Sequence, residues 1–188
     1  MTETTTKSSG ENRLPGDPSP AAMIARMIRV DHAGEYGARR IYQGQLAVLG
    51  RGRHAKTLRH MAAQEEKHLK AFESLLVARR VRPTVLSPLW HVAGFAIGAG
   101  TALMGDRAAM ACTVAVEEAI DDHYRRQSEY LGEDEAALKN TIDEARRDEN
   151  DHRQTALAAD AERAPAYPLL HGAIKRGTKL AIWLSERF

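Results

Sequence analysis

The chain is poor in cysteine, in aromatic residues and in net charge, and these shortages exclude several classes of protein. Its 188 residues contain one cysteine, Cys112, so neither an internal disulfide nor a Cys-x-x-Cys metal site can form. A net charge of +2 gives no electrostatic reason to expect nucleic acid as a partner. Aromatic residues make up 5% and apolar residues 43%, and abundant alanine favours closely packed helices. No glycine-rich nucleotide fingerprint is present, so any reducing electrons must come from outside the chain.

Targeting and membrane-spanning signals are also missing from the sequence. Residues 1–20 are rich in Thr, Ser, Gly and Pro, and they lack both the apolar core of a secretory signal and the Arg-rich character of a mitochondrial presequence. We expect a disordered tail over residues 1–20 and a single domain over residues 21–188. No apolar run reaches the roughly 18 residues of a confident membrane-spanning helix.

Helical periodicity dominates the expected domain. The expected helices run from Ala21 to Leu49, from about His54 to Arg80, from just after Gly105-Asp106 to about Leu131, and from near Glu133 to about Arg163. A last helix follows Pro165 and Pro168 and continues to the end. The segment Leu86–Met104 differs because it contains no Asp, Glu, Lys or Arg. It is interpreted as a core helix, an oligomer interface or an insertion into one membrane leaflet. Flanking Arg79 and Arg107, and the apolar and basic last helix, favour a membrane surface.

One short pattern occurs twice, as Glu65-Glu66-Lys67-His68 and as Glu149-Asn150-Asp151-His152. Residues three apart share a face of a helix, so each Glu-x-x-His pair aims a carboxylate and an imidazole at one point. Both pairs interrupt apolar seams, where a buried carboxylate is costly unless it is paired or coordinated. Because carboxylates and imidazoles suit divalent transition metals, we expect two metal ions side by side.

Two further carboxylates complete this pattern. Glu35 and Glu117 each interrupt an apolar stripe, so the order Glu, then Glu-x-x-His, occurs once in each half of the chain. The predicted metal ligands are Glu35, Glu65, His68, Glu117, Glu149 and His152. We expect Glu65 and Glu149 to bridge the metals and the other two glutamates to be terminal, with positions left open for oxygen or substrate. The predicted fold is an all-α, ferritin-like four-helix bundle with an additional apolar segment and a C-terminal helix.

Other polar residues carry weaker signals. His123 and Tyr124 follow Glu117 by about two turns; they either line a substrate pocket or donate hydrogen bonds, or form a half-buried polar pair. Asp31, one turn before Glu35, is interpreted either as a carboxylate that holds a ligating imidazole or as a solvated charge. We expect no special role for the remaining histidines, which are His32, His54, His60, His91 and His171.

Several long stretches of the chain resemble the demethoxyubiquinone hydroxylases, the di-iron monooxygenases of ubiquinone biosynthesis. These stretches are MIRVDHAGEYGARRIYQGQLAVLG from Met27 to Gly50, RVRPTVLSPLWHVAGFAIGAGTALMG, ACTVAVEEAIDDHY, AERAPAY and the closing LAIWLSERF. The resemblance extends from about Ala22 to Phe188. It implies a ferritin-like bundle whose two iron ions are held by the same six residues.

The resemblance further implies hydroxylation of the ring of polyprenylated demethoxyubiquinol, with O₂ and an external reductant for which NADH is the candidate. Members of this family are peripheral membrane proteins that meet a quinone substrate in the lipid. Eukaryotic members act on the matrix side of the mitochondrial inner membrane with a lipid-binding accessory protein. Because no presequence is visible, this chain resembles a bacterial member on the cytoplasmic face of the inner membrane, or a mature form.

Three alternatives stay open from the residues themselves. An iron-storage or ferroxidase protein would use a similar site, but it would not need the apolar segment Leu86–Met104. A peroxide-reducing rubrerythrin is disfavoured because its usual extra iron site needs four cysteines. A metal-free membrane scaffold is the third alternative. The ligands alone do not separate iron from manganese.

Overall fold

The computed structural model describes Leu14 and residues 16–188. Its helices are α1 (Pro20–Leu49), α2 (Ala55–Ala78), α3 (Ser87–Leu103), α4 (Asp106–Tyr130), α5 (Ala136–Ala158) and α6 (Tyr167–Ser185), with two short 3-10 helices. Within these residues no strand occurs, and the predicted all-α fold class is confirmed. The predicted tail over residues 1–20 lies mostly outside the described residues and stays a prediction.

Helices α1, α2, α4 and α5 form a four-helix bundle in which α1 lies beside α2 and α4 lies beside α5. Helix α1 begins at a sequence-encoded cap: the Ser19 hydroxyl accepts a hydrogen bond from the backbone nitrogen of Ala22 at 3.1 Å, and Pro20 occupies the first turn. Apolar stripes on the four helices fill the interior. The largest fully buried apolar side chains include Ile28, Tyr42, Leu58, Met61, Leu69, Phe72, Met110, Tyr124, Leu138 and Ile142.

The fourth predicted helix is shorter than the sequence pattern suggested. Residues Glu133–Glu135 and Ala161–Arg163 form separate 3-10 helices on either side of α5. Asp160 adopts a left-handed backbone conformation with φ of 64°, which a right-handed α-helix does not accommodate. The prediction of one continuous helix from Glu133 to Arg163 was therefore wrong at both ends, although the metal-ligand pair lies in the uninterrupted middle.

The apolar segment Leu86–Met104 contains α3, which crosses α1 at very close range. A Cβ atom placed on Gly44 would lie 2.2 Å from the Phe95 carbonyl oxygen, and one on Gly98 would lie 2.0 Å from the Ile41 carbonyl oxygen. Glycine is required at both positions because backbone atoms occupy the space of a side chain. The opposite face of α3 is exposed and apolar, and it carries Leu89, Val92, Ile97 and Leu103.

Helix α6 packs on α4 and completes an outer layer with α3. Lys175 of α6 donates a 2.6 Å hydrogen bond to Glu118 of α4. At the C-terminal end of α6, the Trp90 indole of α3 donates to the Ser185 hydroxyl at 3.0 Å. No helix within the described part of the chain has both the length and the hydrophobicity required to cross a membrane.

Candidate metal centre

Six acidic and imidazole side chains from the four bundle helices meet in the core. They are Glu35 on α1, Glu65 and His68 on α2, Glu117 on α4, and Glu149 and His152 on α5. All six are buried, and Glu65 and Glu149 have no exposed surface at all. The structure thus brings together every residue that the sequence pattern singled out as a ligand.

The six side chains form two overlapping groups of four. One group contains Glu35 and His68, the other contains Glu117 and His152, and both contain Glu65 and Glu149. Within each group the candidate ligand atoms lie within 4.8 Å of one another. Two adjacent cations would each have four protein ligands in this arrangement, with the shared carboxylates between them.

Several ligand atoms are buried without a hydrogen-bond partner among the described residues. These atoms are Glu35 Oε2, both carboxylate oxygens of Glu65, His68 Nδ1, Glu117 Oε2 and Glu149 Oε1. Buried polar atoms of folded proteins are nearly always paired, and an unpaired buried carboxylate is costly. A concentration of such atoms at one point fits a pair of bound cations, so the donor set suits a dinuclear metal site.

The pKa shifts within the cluster also indicate a site that suits bound cations. Burial raises the pKa of Glu65 and of Glu117 well above the usual value, and the nearby Glu149 carboxylate adds to both shifts. Burial would raise the pKa of Glu149 as well, but the neighbouring imidazoles of His152 and His68 lower it. Burial alone would lower the pKa of both histidines, and their carboxylate neighbours raise it instead. Protons therefore balance the buried negative charge wherever metal does not.

Both imidazoles turn the same nitrogen toward the carboxylates. His68 Nδ1 lies 3.3 Å from Glu149 Oε1, and His152 Nδ1 lies 3.3 Å from Glu65 Oε1. The outward nitrogens have partners of their own: His68 Nε2 lies 3.0 Å from Asp148 Oδ2, and His152 Nε2 lies 3.1 Å from Gln64 Oε1. Holding Nε2–H in this way leaves the Nδ1 lone pair for a metal.

Two buried tyrosines hydrogen-bond to Glu35 and Glu117, the two glutamates that each belong to only one of the two ligand groups. The Tyr42 hydroxyl on α1 donates to Glu117 Oε1 on α4 at 3.0 Å. In return, the Tyr124 hydroxyl on α4 donates a short hydrogen bond to Glu35 Oε1 on α1. Each tyrosine therefore fixes one carboxylate oxygen, and the second oxygen of each glutamate is buried without a hydrogen-bond partner among the described residues.

Asp31 has neither of the two roles considered from the sequence. It is buried rather than solvated, and its Oδ1 atom accepts a 2.8 Å hydrogen bond from Gln127 and lies 3.3 Å from His123 Nε2. Burial raises the pKa of Asp31 against the opposing effect of His123. His123 itself lines a cavity of about 460 Å³ with Arg126 and Lys179, separate from the ligand cluster.

Three contacts of the ligands, made by Gln64, Asp148 and Tyr42, were not predicted from the sequence, whereas hydrogen-bond donation by Tyr124 was one of the two roles expected for it. The sequence spacing of all four contact residues could have indicated their roles. Gln64 and Asp148 each directly precede the glutamate of a Glu-x-x-His pair. Tyr42 and Tyr124 each stand seven residues, or two helical turns, after the lone glutamate of their half.

An apolar cavity of about 360 Å³ lies between the α1–α4 face of the bundle and the outer layer of α3 and α6. Its wall includes Ala38, one turn after Glu35, and Val116, the neighbour of Glu117. Gly37 on α1 also lines it, and a Cβ atom there would meet no atom within 4 Å. None of the six candidate ligands lines the cavity itself, but Ala38 and Val116 join its wall to the helix segments that carry Glu35 and Glu117.

An all-α bundle with a buried carboxylate and imidazole cluster beside an apolar cavity defines a ferritin-like metal-site protein. The family model described as "Ubiquinone biosynthesis protein COQ7" matches residues 22–185, and the chain belongs to this family. A 3-demethoxyubiquinol 3-hydroxylase of Rhodospirillum rubrum is 64% identical over 96% of this chain and 86% of that protein. The human mitochondrial NADPH-dependent 3-demethoxyubiquinone 3-hydroxylase is 54% identical over 88% of this chain and 78% of its own length.

A more distant relative has the same type of name. The mitochondrial 5-demethoxyubiquinone hydroxylase of Saccharomyces cerevisiae is 43% identical over 89% of this chain and 79% of its own length. The family predicted from the sequence stretches is confirmed by these matches, and so is the prediction of an enzyme of the hydroxylase class.

Proposed function

We propose that this chain is a di-iron monooxygenase that hydroxylates the ring of polyprenylated demethoxyubiquinol in ubiquinone biosynthesis. The observation that carries this proposal is the pair of overlapping buried ligand groups, which share Glu65 and Glu149. An apolar cavity whose wall includes Ala38 and Val116, close along the chain to Glu35 and Glu117, supports it. The names of the bacterial, human and yeast relatives support the same reaction and substrate class.

In the proposed centre, Glu35 and His68 hold one iron ion, and Glu117 and His152 hold the other. Glu65 and Glu149 belong to both groups, so each of them would contribute carboxylate oxygens to both ions. When bound, the two iron ions supply the electrons and open coordination positions that activate O₂. The ligand set also accepts manganese, and the hydroxylase names of the relatives favour iron.

The residues around the centre position the reactants. Tyr42 and Tyr124 hold the terminal glutamates in place by hydrogen bonds. Ala38 and Val116 form a wall that brings an apolar ring close to the ligands and keeps water away from them. Gly37 leaves room for such a ring on the α1 side. The product keeps one oxygen atom of O₂, and the other leaves as water, so each turnover consumes two electrons and two protons from outside.

A reduced nicotinamide cofactor is the proposed external donor. The sequence resemblance pointed to NADH, whereas the rat and human relatives are named NADPH-dependent. The two cofactors share the same nicotinamide ring and differ by one phosphate, so comparing turnover with each of them assigns the donor. A lipid-binding accessory protein of the same pathway stays the proposed protein partner.

The outer layer supports peripheral attachment to a membrane. Several large apolar residues of α3 and α6 are exposed, among them Leu103 at 76% and Leu169 at 74%, and a group of such residues marks an interaction surface. Arg79 and Arg107 flank the α3 segment and can meet anionic head groups. We propose attachment to the cytoplasmic face of a bacterial inner membrane, or to the matrix side of the mitochondrial inner membrane if the chain is eukaryotic, where a quinol with an isoprenoid tail dissolves.

Vesicle co-sedimentation tests this attachment. Replacing Leu103 with aspartate should reduce binding to vesicles of phosphatidylethanolamine and phosphatidylglycerol, because a charge would then enter the apolar layer. Ala137→Asp on the exposed face of α5 is the matched control and should bind as the parent chain does. Equal binding of the two variants would contradict the proposed membrane face.

Hydroxylation of a short-tailed demethoxyubiquinol, followed by mass spectrometry under ¹⁸O₂, tests the reaction itself. The parent chain should bind two iron ions and add one labelled oxygen atom to the ring. Glu149→Ala and His152→Ala should lose both iron and product while the protein stays helical, because each removes a ligand from the cluster. The control Glu144→Ala lies on the exposed face of the same helix and should keep full activity. Oxidation of Fe²⁺ without any quinol product would instead indicate a ferroxidase.

A further inference from the structure

The outer partners of the two candidate ligand histidines are exchanged between the halves of the chain. Asp148, which directly precedes Glu149 on α5, contacts His68 of α2. Gln64, which directly precedes Glu65 on α2, contacts His152 of α5. Each Glu-x-x-His helix therefore supplies the residue that orients the imidazole of the other helix.

The tyrosine contacts follow the same crossed arrangement, with one difference. Tyr42 and Tyr124 are the same residue type in both halves, and each reaches the lone glutamate of the opposite half. The outer partners of the imidazoles are not alike, because one is a carboxylate and the other is a neutral amide. The centre thus has approximate two-fold symmetry, except that Gln64 is neutral where its counterpart Asp148 carries a negative charge.

This difference matters because of the orientation of the imidazoles. Both rings turn Nδ1 toward the cluster, so Nε2–H donates outward to Asp148 in one case and to Gln64 in the other. A charge-assisted hydrogen bond is about twice as strong as a neutral one. An imidazole that donates to a carboxylate is also the more basic metal ligand. Asp148 is 27% exposed, so water weakens this effect without removing it.

We propose that Asp148 and Gln64 are positioning residues that make the two metal positions inequivalent. The ion beside His68 is bound more tightly, and its oxidised state is stabilised relative to that of the ion beside His152. The ion beside His152 is consequently the first to be reduced. This inference rests on the proposed function, since it requires that both positions hold metal.

Anaerobic titration of the purified full chain with Fe²⁺, in competition with a chelator, measures the two binding steps. The parent chain should show two unequal steps. Asp148→Asn keeps the size of the side chain and removes its charge, so the tighter step should weaken about ten- to a hundredfold and approach the other. Gln64→Glu adds the missing charge, and it should tighten the weaker step. Asp151→Asn, an exposed neighbour on the same helix, is the matched control and should change neither step.

The two midpoint potentials of the di-iron form provide a readout that a purely structural role would not move. Asp148→Asn should raise the lower potential and bring the two values together, while circular dichroism and the melting temperature stay close to those of the parent. Unchanged steps and potentials in Asp148→Asn, or the same change in Asp151→Asn, would overturn the inference. Absence of metal binding by the parent chain would overturn the proposed function as well, and that result separates the two failures.

Discussion

Replacing Gly98 with alanine tests the close crossing of α1 and α3. The added Cβ atom would lie 2.0 Å from the Ile41 carbonyl oxygen, and this partner is backbone that cannot rotate away. The two helices would have to separate by about 1.4 Å to restore an ordinary contact of 3.4 Å, and overpacking of this kind costs about 1–3 kcal/mol. Gly100 lies two residues further along α3, and a Cβ atom there would meet nothing within 4 Å. Gly100→Ala should therefore stabilise the protein by about 0.5–1 kcal/mol through helix propensity alone.

Thermal unfolding followed by circular dichroism compares these two variants directly. In a domain of this size, 1 kcal/mol corresponds to about 2–4 °C in melting temperature. The Gly98→Ala variant should melt at least about 3 °C below the Gly100→Ala variant. Because Gly98 belongs to the helix that covers the apolar cavity, Gly98→Ala should also lose hydroxylation, whereas Gly100→Ala should keep it. Equal melting temperatures would refute the close helix crossing and the cavity wall that depends on it.

Three further outcomes follow from the centre and its cavity. Binding of Fe²⁺ at pH 7 should release protons, because burial raises the pKa of Glu65 and Glu117 and a metal must displace the protons that they keep. The affinity for Fe²⁺ should consequently rise from pH 6 to pH 8. Calorimetry in buffers of different ionisation enthalpy measures the proton release, and finding none would contradict the prediction. Gly37→Val should narrow the cavity and lower turnover of a long-tailed quinol while two iron ions still bind; unchanged turnover would exclude this wall as the ring site. Tyr124→Phe should weaken iron binding by about tenfold, since it frees the terminal glutamate that the hydroxyl holds; equal iron affinity in a chelator competition would show that this contact is dispensable.

Much of the fold and the convergence of the ligands could be predicted because periodicity and burial act together. A glutamate such as Glu149 in the middle of an apolar seam has to be buried, and a buried carboxylate needs a partner. The same reasoning placed Glu35, Glu65 and Glu117 inside the bundle, where the structure has them. Their role as metal ligands stays a proposal that the titrations above test.

The outer contacts of the cluster could not be predicted from periodicity. Asp148 and Gln64 lie at the edges of their helix faces, so the position of the neighbouring helix decides whether they reach an imidazole or solvent. Asp31 lies one turn before Glu35, which is the spacing of a carboxylate that could hold a ligating imidazole. The orientation of α1 instead directs its side chain toward Gln127 and His123. Hydrophobic periodicity also could not predict where α5 ends, because the left-handed backbone conformation at Asp160 depends on how the chain turns toward α6.

All six candidate ligands project from the interiors of long helices and none from a loop. Backbone hydrogen bonds fix those positions, so the main chain around any bound cations would have little freedom to shift during a reaction cycle. Both imidazoles are tethered at the nitrogen that faces outward. Any change in the separation or coordination number of two bound metal ions would then have to come from rotation about the side-chain torsions of the glutamates. The glutamate carboxylates would be the mobile ligands, while the backbone and the imidazoles stay in place.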